Sequence, residues 1–109
     1  MKTEIIIRSK TVIVEIPNQA QLQVSINWNW GNFPTELMIS EVIVQPPYRN
    51  QGIGTALVDK VKDFADYLGV ERIRARTCNP ENLNYYELFL EANKFIKIEP
   101  RLWEYNLTK

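Results

Sequence analysis

The chain has 109 residues, enough for one domain with a single hydrophobic core, and we predict one unit over 1–109. Its 13 Lys and Arg balance its 13 Asp and Glu, which argues against bulk electrostatic attraction to nucleic acid or to an anionic membrane. The sequence has no histidine and one cysteine, so we expect no metal site, no Ser-His or Cys-His nucleophile pair and no internal disulfide.

The first part of the chain predicts an antiparallel meander of strands. Alternating or β-branched runs occur at 4–8, 11–16, 21–30 and 36–44, and turn residues separate them. The first ten residues have only three consecutive apolar positions, bracketed by charge. We therefore expect neither a signal peptide nor a membrane span there, and a cytoplasmic location.

The rest of the chain alternates helices with strands. We predict helices at 51–68 and 80–92 and strands at 70–77, 94–98 and 101–107. In the first helix, apolar residues recur at spacings of three and four from Ile53 to Leu68, which indicates one buried stripe. The class is α+β, or mixed α/β, with helices packed on a mixed and mostly antiparallel sheet.

The segment QPPYRNQGIGTALVDKVKDFA, residues 45–65, joins the fourth strand to the first helix. Gly52 and Gly54 lie in its first turn, where backbone N–H groups lack intrahelical partners, the dipole favours an anion and missing Cβ atoms leave room for phosphate oxygens. Arg49 can add a charge-assisted hydrogen bond. The segment therefore predicts a pyrophosphate site. The alternative is a tight turn that needs two glycines for its geometry alone.

Other phosphate-binding loops fit this segment less well. A dinucleotide fingerprint needs a third glycine where the chain has Leu57, and a P-loop needs Gly-Lys-Ser/Thr, which is absent. The full pattern, Val44, Pro46 and Tyr48 followed by Arg49-x-x-Gly52-x-Gly54-x-Ala56-Leu57, resembles the acyl-CoA signature of the Gcn5-related N-acetyltransferase (GNAT) superfamily. A looser resemblance follows in the strand at 71–77, the helix that Asn82 opens and the late strand that Phe95 begins.

This resemblance implies direct transfer of an acetyl group from acetyl-CoA to an amine in a ternary complex. The strand before the loop is expected to splay from its parallel neighbour, so that its last backbone groups bind the pantetheine arm like an added strand. The loop and first helical turn would surround the pyrophosphate, and the second helix would add contacts. The implied coenzyme-binding residues are Val42, Ile43, Val44, Arg49, Asn50, Gln51, Gly52, Ile53, Gly54, Thr55, Asn82 and Phe89. For Asn82, a helix N-cap is the alternative role.

Three residues are candidates for proton transfer. Glu41, on the splayed strand, is the candidate base, and an ordinary polar strand residue is the alternative. The superfamily usually places a tyrosine acid where this chain has Phe89, so Tyr85 and Tyr86 are the candidate acids. Packing in the core is the alternative role for these aromatic residues. For Trp103, packing in the core is the predicted role, and an acceptor-binding or dimer surface is the alternative.

The chain departs from the superfamily in its first 30 residues, where one or two helices are usual and none is predicted. Those helices generally cover the acceptor side, so we expect an open face there. Such a face suits a bulky acceptor such as a protein lysine or N-terminus, and short phage-borne members of the superfamily modify host proteins. A small amine is the other class of acceptor. Alternatively, a partner subunit in a homodimer covers this face. A CoA-binding sensor or interaction module without turnover is the rival function. Acetylation of charged transfer RNA would need a basic face.

Overall fold

A computed structural model describes residues 3–8, 10–28, 34–49, 51–76 and 83–107 of the chain. These residues form seven β-strands, two α-helices and a short 3-10 helix at Pro46–Tyr48. The strands are β1 Glu4–Arg8, β2 Thr11–Ile16, β3 Ala20–Trp28, β4 Pro34–Val44, β5 Arg72–Arg76, β6 Ile96–Glu99 and β7 Leu102–Asn106. The helices are α1 Ile53–Leu68 and α2 Leu83–Ala92.

All seven strands belong to one sheet, in the order β1-β2-β3-β4-β5-β7-β6. Every neighbouring pair is antiparallel except β4 and β5, which are parallel and are connected through α1. The predicted meander is β1 to β4. The predicted α+β class, with a mixed and mostly antiparallel sheet, is confirmed.

Alternation along the strands gives the sheet two different faces. One face is apolar, and on β2 it is formed by Val12, Val14 and Ile16, all buried. Helix α1 packs its own buried stripe, including Leu57 and Val61, against this face. We call it the helical face.

The second helix covers the same side of the sheet. Trp103 of β7 lies opposite Ala75 of β5 on the helical face, and its indole Nε1 donates to the Glu87 carboxylate of α2 at 3.3 Å. Trp103 is buried, which confirms its predicted place in the core. Both helices therefore pack on one face of the sheet.

The other face carries no helix in the described part of the chain, and we call it the open face. Pairing across the strands assigns to it Thr11, Ile13, Glu15, Gln21, Gln23, Ser25, Glu36, Met38, Glu41, Arg72, Arg74 and Glu104. The described residues before β4 contain only strands and turns, as predicted. An uncovered sheet face is what the missing helices led us to expect.

Element ends differ slightly from the sequence prediction, for local reasons. Helix α1 begins at Ile53 and not at 51, because Gly52 adopts a left-handed conformation at φ +75° and caps it. Gly69, also left-handed, ends α1 and donates its N–H to the carbonyl of Ala65 at 3.0 Å, as C-terminal glycines commonly do. Of the described helices, neither has the length and apolar character to cross a membrane.

Candidate functional site

The parallel pairing of β4 with β5 stops well before β4 ends. Glu36 to Ile39 pair with Arg72 to Ala75, and no later residue of β4 pairs with β5. Beyond Ile39, β4 continues for five residues, to Val44, and among the described residues these pair only with β3. In the described part of the chain the pairing with β5 therefore ends at Ile39, where a splay is expected, shortly before the loop to α1.

A β-bulge follows the last described pair between these strands. Ile39 pairs with Val24 and Glu41 with Gln23, so Ser40 is an extra residue in β4. Its hydroxyl lies 3.2 Å from that of Ser25, which is on the open face. The bulge thus puts Ser40 and Glu41 on the open face together. Glu41, the candidate base, is exposed there.

Along β4 beyond Ile39, the backbone N–H and C=O groups of alternate residues point away from β3, toward the side on which β5 lies. The Gln45 N–H donates to the Gln19 carbonyl at 2.8 Å, so residue 45 is turned toward β3. Because successive residues of a strand alternate, Ile43 also faces β3, and Val42 and Val44 direct their N–H and C=O groups away from it. The side chains of Val42 and Val44 pack against the core, so only their main chain lies at the gap.

Arg49 makes its contact with this same strand end. Its Nε donates to the Val44 carbonyl at 2.9 Å, and the side chain is otherwise exposed. This bond uses one of the five N–H donors of the guanidinium. Gln51 holds the loop from the other side, because its amide donates to the Pro47 carbonyl at 3.1 Å.

The N-terminus of α1 lies beside this end of β4 and has no side-chain cap. Gly52 is the N-cap residue, and the first intrahelical bond runs from the Ala56 N–H to its carbonyl at 3.0 Å. The N–H groups of Ile53, Gly54 and Thr55 therefore precede the helical ladder. With the helix dipole, these donors make a positive end that favours an anion. The φ of +75° is the reason for glycine at position 52. Crowding is not the reason, because a Cβ there would meet nothing within 4 Å.

Gly54 has a different structural role from the one that the sequence led us to expect. A Cβ on Gly54 would lie 2.9 Å from Cε1 and 3.2 Å from Cζ of Phe89, so it points toward α2. The expectation that this missing Cβ leaves room for phosphate oxygens is wrong. Gly54 allows α1 and α2 to approach, and Phe89 fills the space.

Phe89 and Tyr86 form one aromatic cluster beneath this turn. Their ring centroids are 6.4 Å apart at an interplanar angle of 28°, and both side chains pack against the core. The hydroxyl oxygen of Tyr86 is shielded from solvent. Asn50, Asn82 and the side chain of Tyr85 lie outside the described residues, as do Trp30 and Cys78.

Asn93, which the sequence analysis missed, ties the two helices together. It is 4% exposed, and its amide nitrogen donates to the Phe89 carbonyl at 2.9 Å and to the Thr55 hydroxyl at 3.4 Å. The backbone carbonyl of Asn93 accepts a hydrogen bond from the ammonium of Lys62 of α1 at 2.8 Å. An asparagine just after the last helical residue was the available signal, since such positions favour side-chain to backbone bonds.

Lys62 lies in a half-buried position between α1, α2 and β7. Its ammonium is 4.0 Å from the centroid of the Tyr105 ring and bonds the carbonyl at the end of α2. Burial is the main cause that lowers its pKa below the ordinary 10.5, Asp59 opposes this effect, and Lys94 adds to it. The desolvation cost therefore outweighs the attraction of the neighbouring carboxylate.

A separate charge cluster lies on the open face, across β4, β5 and β7. Arg74 is 3.2 Å from both Glu36 and Glu104, and Arg72 is 3.4 Å from Glu36 and 3.8 Å from Glu104. Asn27 donates to the second oxygen of Glu36 at 3.2 Å. The charges balance, so this half of the face is neutral. The described residues contain no cluster of three or more metal-ligating side chains.

Comparisons with known proteins agree with this geometry. A profile of the Acetyltransferase (GNAT) family matches residues 20–91, from the start of β3 almost to the end of α2. No curated protein matches the chain.

Three solved structures illustrate the shared fold. The anti-CRISPR protein AcrVA5 is 24% identical with a TM-score of 0.66, and the match covers 88% of this chain and 98% of that one. An acetyltransferase of the GNAT family from Staphylococcus aureus is 18% identical with a TM-score of 0.69, over 90% and 67% of the two chains. An aminoglycoside 6'-N-acetyltransferase complexed with coenzyme A is 12% identical with a TM-score of 0.71, over 94% and 76%.

Proposed function

Because the chain belongs to the GNAT family of acetyltransferases, we propose that it transfers an acetyl group from acetyl-CoA to an amine. Family membership indicates acetyl transfer as the class of reaction. The observation that carries the finer proposal is the junction where β4 leaves β5 just before the uncapped N-terminus of α1. The transfer is direct: the amine nitrogen attacks the thioester carbonyl, the carbon–sulfur bond breaks, and the coenzyme leaves as a thiol.

The coenzyme pyrophosphate binds at the N-terminus of α1. The amides of Ile53, Gly54 and Thr55 donate to its oxygens, and the helix dipole adds to the attraction. Arg49 lies on the strand end beside them and contributes further guanidinium donors. Asn50, Gln51 and Gly52 complete the loop around the pyrophosphate, and Asn82 and Phe89 are the proposed contacts from the α2 side.

The pantetheine arm follows the end of β4. Val42 and Val44 direct their backbone groups into the gap, which suits the amides of an extended pantetheine in the manner of an added strand. Ile43 lies between them and faces β3, so it contributes through position only. The Val44 carbonyl, now bonded to Arg49, becomes available to the arm when the guanidinium turns to the phosphates.

Glu41 is the proposed base for the acceptor amine. A lysine with a pKa near 10.4 needs about 4 to 5 kcal/mol to lose its proton at neutral pH, and a carboxylate beside the amine can accept that proton. Glu41 follows the bulge, where β4 separates from β5, and it is exposed on the open face. An amine that approaches from this face meets Glu41 and a thioester in the gap at the same place.

Of the two candidate acids, we prefer Tyr85 to Tyr86. Tyr86 packs against the core and its hydroxyl is shielded, so it suits a structural role. A coenzyme thiolate is also a fair leaving group near neutral pH without an acid.

The proposed acceptor is a protein lysine or N-terminus. In the described part of the chain, no helix covers the open face, so a bulky acceptor can reach Glu41 without a roof in the way. AcrVA5, of which this chain covers 98%, is a second chain with a short form of this fold.

A CoA-binding module without turnover is the second candidate function. Phe89 occupies the position where the superfamily usually has its tyrosine acid, and its ring is fixed against Gly54. The proposed pyrophosphate site does not depend on that acid, so coenzyme binding could persist without catalysis.

An assay of thiol release separates the two candidates. The protein is incubated with acetyl-CoA and a panel of small amines, peptides with a free N-terminus and lysine-containing proteins, and free coenzyme thiol is followed. We expect release with protein acceptors, and we expect Glu41→Gln to lower kcat/KM by about 100-fold or more with unchanged coenzyme affinity. Glu15→Gln, a carboxylate on the same face, is the matched control. Coenzyme binding without release above background supports the second candidate.

A further inference from the structure

Strand β5 presents three arginines on the open face, at alternate positions. Arg72 and Arg74 share the carboxylates of Glu36 and Glu104, at distances of 3.2 to 3.8 Å. Arg76 comes next on the same face and is exposed. Among the described residues, no ion pair or side-chain hydrogen bond includes Arg76. One of the three cations therefore lacks a counter-charge in the described part of the chain.

The neighbouring strands explain why Arg76 differs from the other two arginines. On β7, Arg74 lies opposite Glu104, whereas Arg76 lies opposite the uncharged Leu102. On the other side of β5, the described pairing with β4 ends at Ile39, so no described residue of β4 is paired with Arg76. The guanidinium of Arg76 thus keeps its N–H donors for a partner from outside the described residues.

Glu41 lies across from Arg76, on β4. In the parallel register, Arg76 comes one residue after the last described pair, and on β4 Ser40 and Glu41 come one and two residues after it. The bulge puts Glu41 on the open face, where it is exposed and has no ionic partner among the described residues. Adjacent strands lie about 5 Å apart where they pair. A carboxylate and a guanidinium therefore border the same small area of the open face, one on each side of the expected gap between β4 and β5.

We propose that Arg76 is a specificity residue that binds a carboxylate of the acceptor while Glu41 receives the acceptor amine. This inference rests on the proposed function and deepens it. A guanidinium can bind a carboxylate through two parallel hydrogen bonds, so Arg76 orients the acceptor as well as attracting it. The acceptor class is an amine with a carboxylate close by, which in a protein is a lysine or N-terminus next to an acidic residue.

The position of Arg76 separates this role from coenzyme binding. The proposed pyrophosphate site begins beyond Val44, which lies about 13 Å further along an extended β4 than Ser40. Arg76 lies beside the bulge, at the end of the gap where the thioester meets the amine. Coenzyme affinity is therefore expected to be the same with and without the Arg76 guanidinium.

Matched acceptor peptides test the proposal. Each peptide has a blocked N-terminus and one lysine, and the residue before or after this lysine is glutamate, glutamine or a blocked lysine analogue that keeps its positive charge. Glutamate and glutamine differ in charge but have nearly the same shape. We expect the wild type to have about fivefold higher kcat/KM for the glutamate peptide, the scale of one partly exposed ion pair. The difference lies mainly in KM and shrinks at high salt, because exposed charges are screened.

Two variants of Arg76 make this result specific. Arg76→Gln abolishes the preference for glutamate, and Arg76→Glu reverses it in favour of the positively charged peptide. Lys60→Gln, which removes an exposed cation from α1, is the control and keeps the wild-type preference. Urea unfolding of each variant checks that the fold is intact, which we expect because the Arg76 side chain is exposed.

A pair of small acceptors identifies the source of the carboxylate. Nα-acetyl-lysine has a free carboxylate, and Nα-acetyl-lysinamide presents the same ε-amine without it. A preference for the first compound that Arg76→Gln abolishes supports recognition of a carboxylate on the acceptor residue itself. A preference confined to the glutamate peptides, and likewise abolished, supports recognition of an acidic neighbour.

Failure of this inference differs from failure of the proposed function. If no acceptor releases thiol, the proposed function is wrong, and fluorescence anisotropy of the labelled peptides on the protein with bound coenzyme A then tests Arg76 separately. We expect the glutamate peptide to bind the wild type about fivefold more tightly than the glutamine peptide, and Arg76→Gln to bind both equally.

Three results would each overturn the proposal. One is wild-type turnover, or wild-type binding in the anisotropy assay, that does not distinguish carboxylate from amide. Another is a preference that survives in Arg76→Gln. The third is an equal loss of kcat with every acceptor in Arg76→Gln, which would place the guanidinium in the transfer step and not in acceptor recognition.

Discussion

Replacing Gly54 by alanine tests how α1 and α2 fit together. The new Cβ would lie 2.9 Å from Cε1 of Phe89 and 3.2 Å from Cζ, closer than side-chain carbons normally approach. The Phe89 ring must therefore move, and it is held by its stack on Tyr86 and by the core. At an ordinary helical glycine the same substitution would stabilise by about 0.5 to 1 kcal/mol.

We expect a net loss of stability for Gly54→Ala. Overpacking of a well-filled site costs about 1 to 3 kcal/mol, which exceeds the gain in helix propensity. A net loss of about 1 kcal/mol corresponds to about 4 to 8 °C in Tm for a domain of roughly this size. Phe89→Leu removes both Cε1 and Cζ, so in that background the alanine should no longer destabilise.

Urea unfolding of the two single variants and the double variant gives the coupling energy between positions 54 and 89. We expect about 1 kcal/mol or more. Gly52→Ala is the matched control, because its cost comes from a φ of +75° and a Cβ there meets nothing. It should destabilise equally with either residue at 89. If Gly54→Ala is neutral, or destabilises equally in both backgrounds, the helix contact described here is wrong.

Two further predictions concern the link between the helices. Burial lowers the pKa of Lys62, so the unfolded chain binds more protons in the window below 10.5, and stability rises with pH there. Wild type should therefore gain stability relative to Lys62→Met between pH 7 and 10.5 in urea titrations, and a constant or shrinking difference would contradict this. Asn93→Ala leaves the Thr55 hydroxyl without this donor and should cost about 1 to 3 kcal/mol in the same assay, whereas Lys60→Ala, at an exposed position of α1, should cost less. Equal costs would argue against the role of Asn93.

Much of the fold could be predicted from local pattern. Alternation revealed the strands of the meander, and the spacing from Ile53 to Leu68 revealed α1, because these periods follow directly from backbone geometry. The boundaries were less accurate. The sequence alone is equally consistent with Gly52 as the first helical residue and as the N-cap. Its left-handed φ identifies it as the N-cap.

The features that the sequence did not reveal depend on contacts between distant residues. The bulge at Ser40 adds one residue to β4 and shifts the alternation of its side chains. Ser40 and Glu41 are both polar and exposed, so the sequence pattern does not show this shift. The reason for Gly54 lies in Phe89, 35 positions later, and cannot be read from the loop itself. Asn93 looked like an ordinary helix-end residue, because its partners Thr55 and Lys62 come from another helix.

In the proposed coenzyme complex, the first-turn amides of α1 bind the diphosphate. Amide NMR spectra recorded during a titration with acetyl-CoA test it most directly, with pantetheine, which has no diphosphate, as the matched ligand. We expect large saturable shifts at Ile53, Gly54 and Thr55 with acetyl-CoA and small ones with pantetheine. Saturable binding of acetyl-CoA that leaves these three amides unmoved would contradict it.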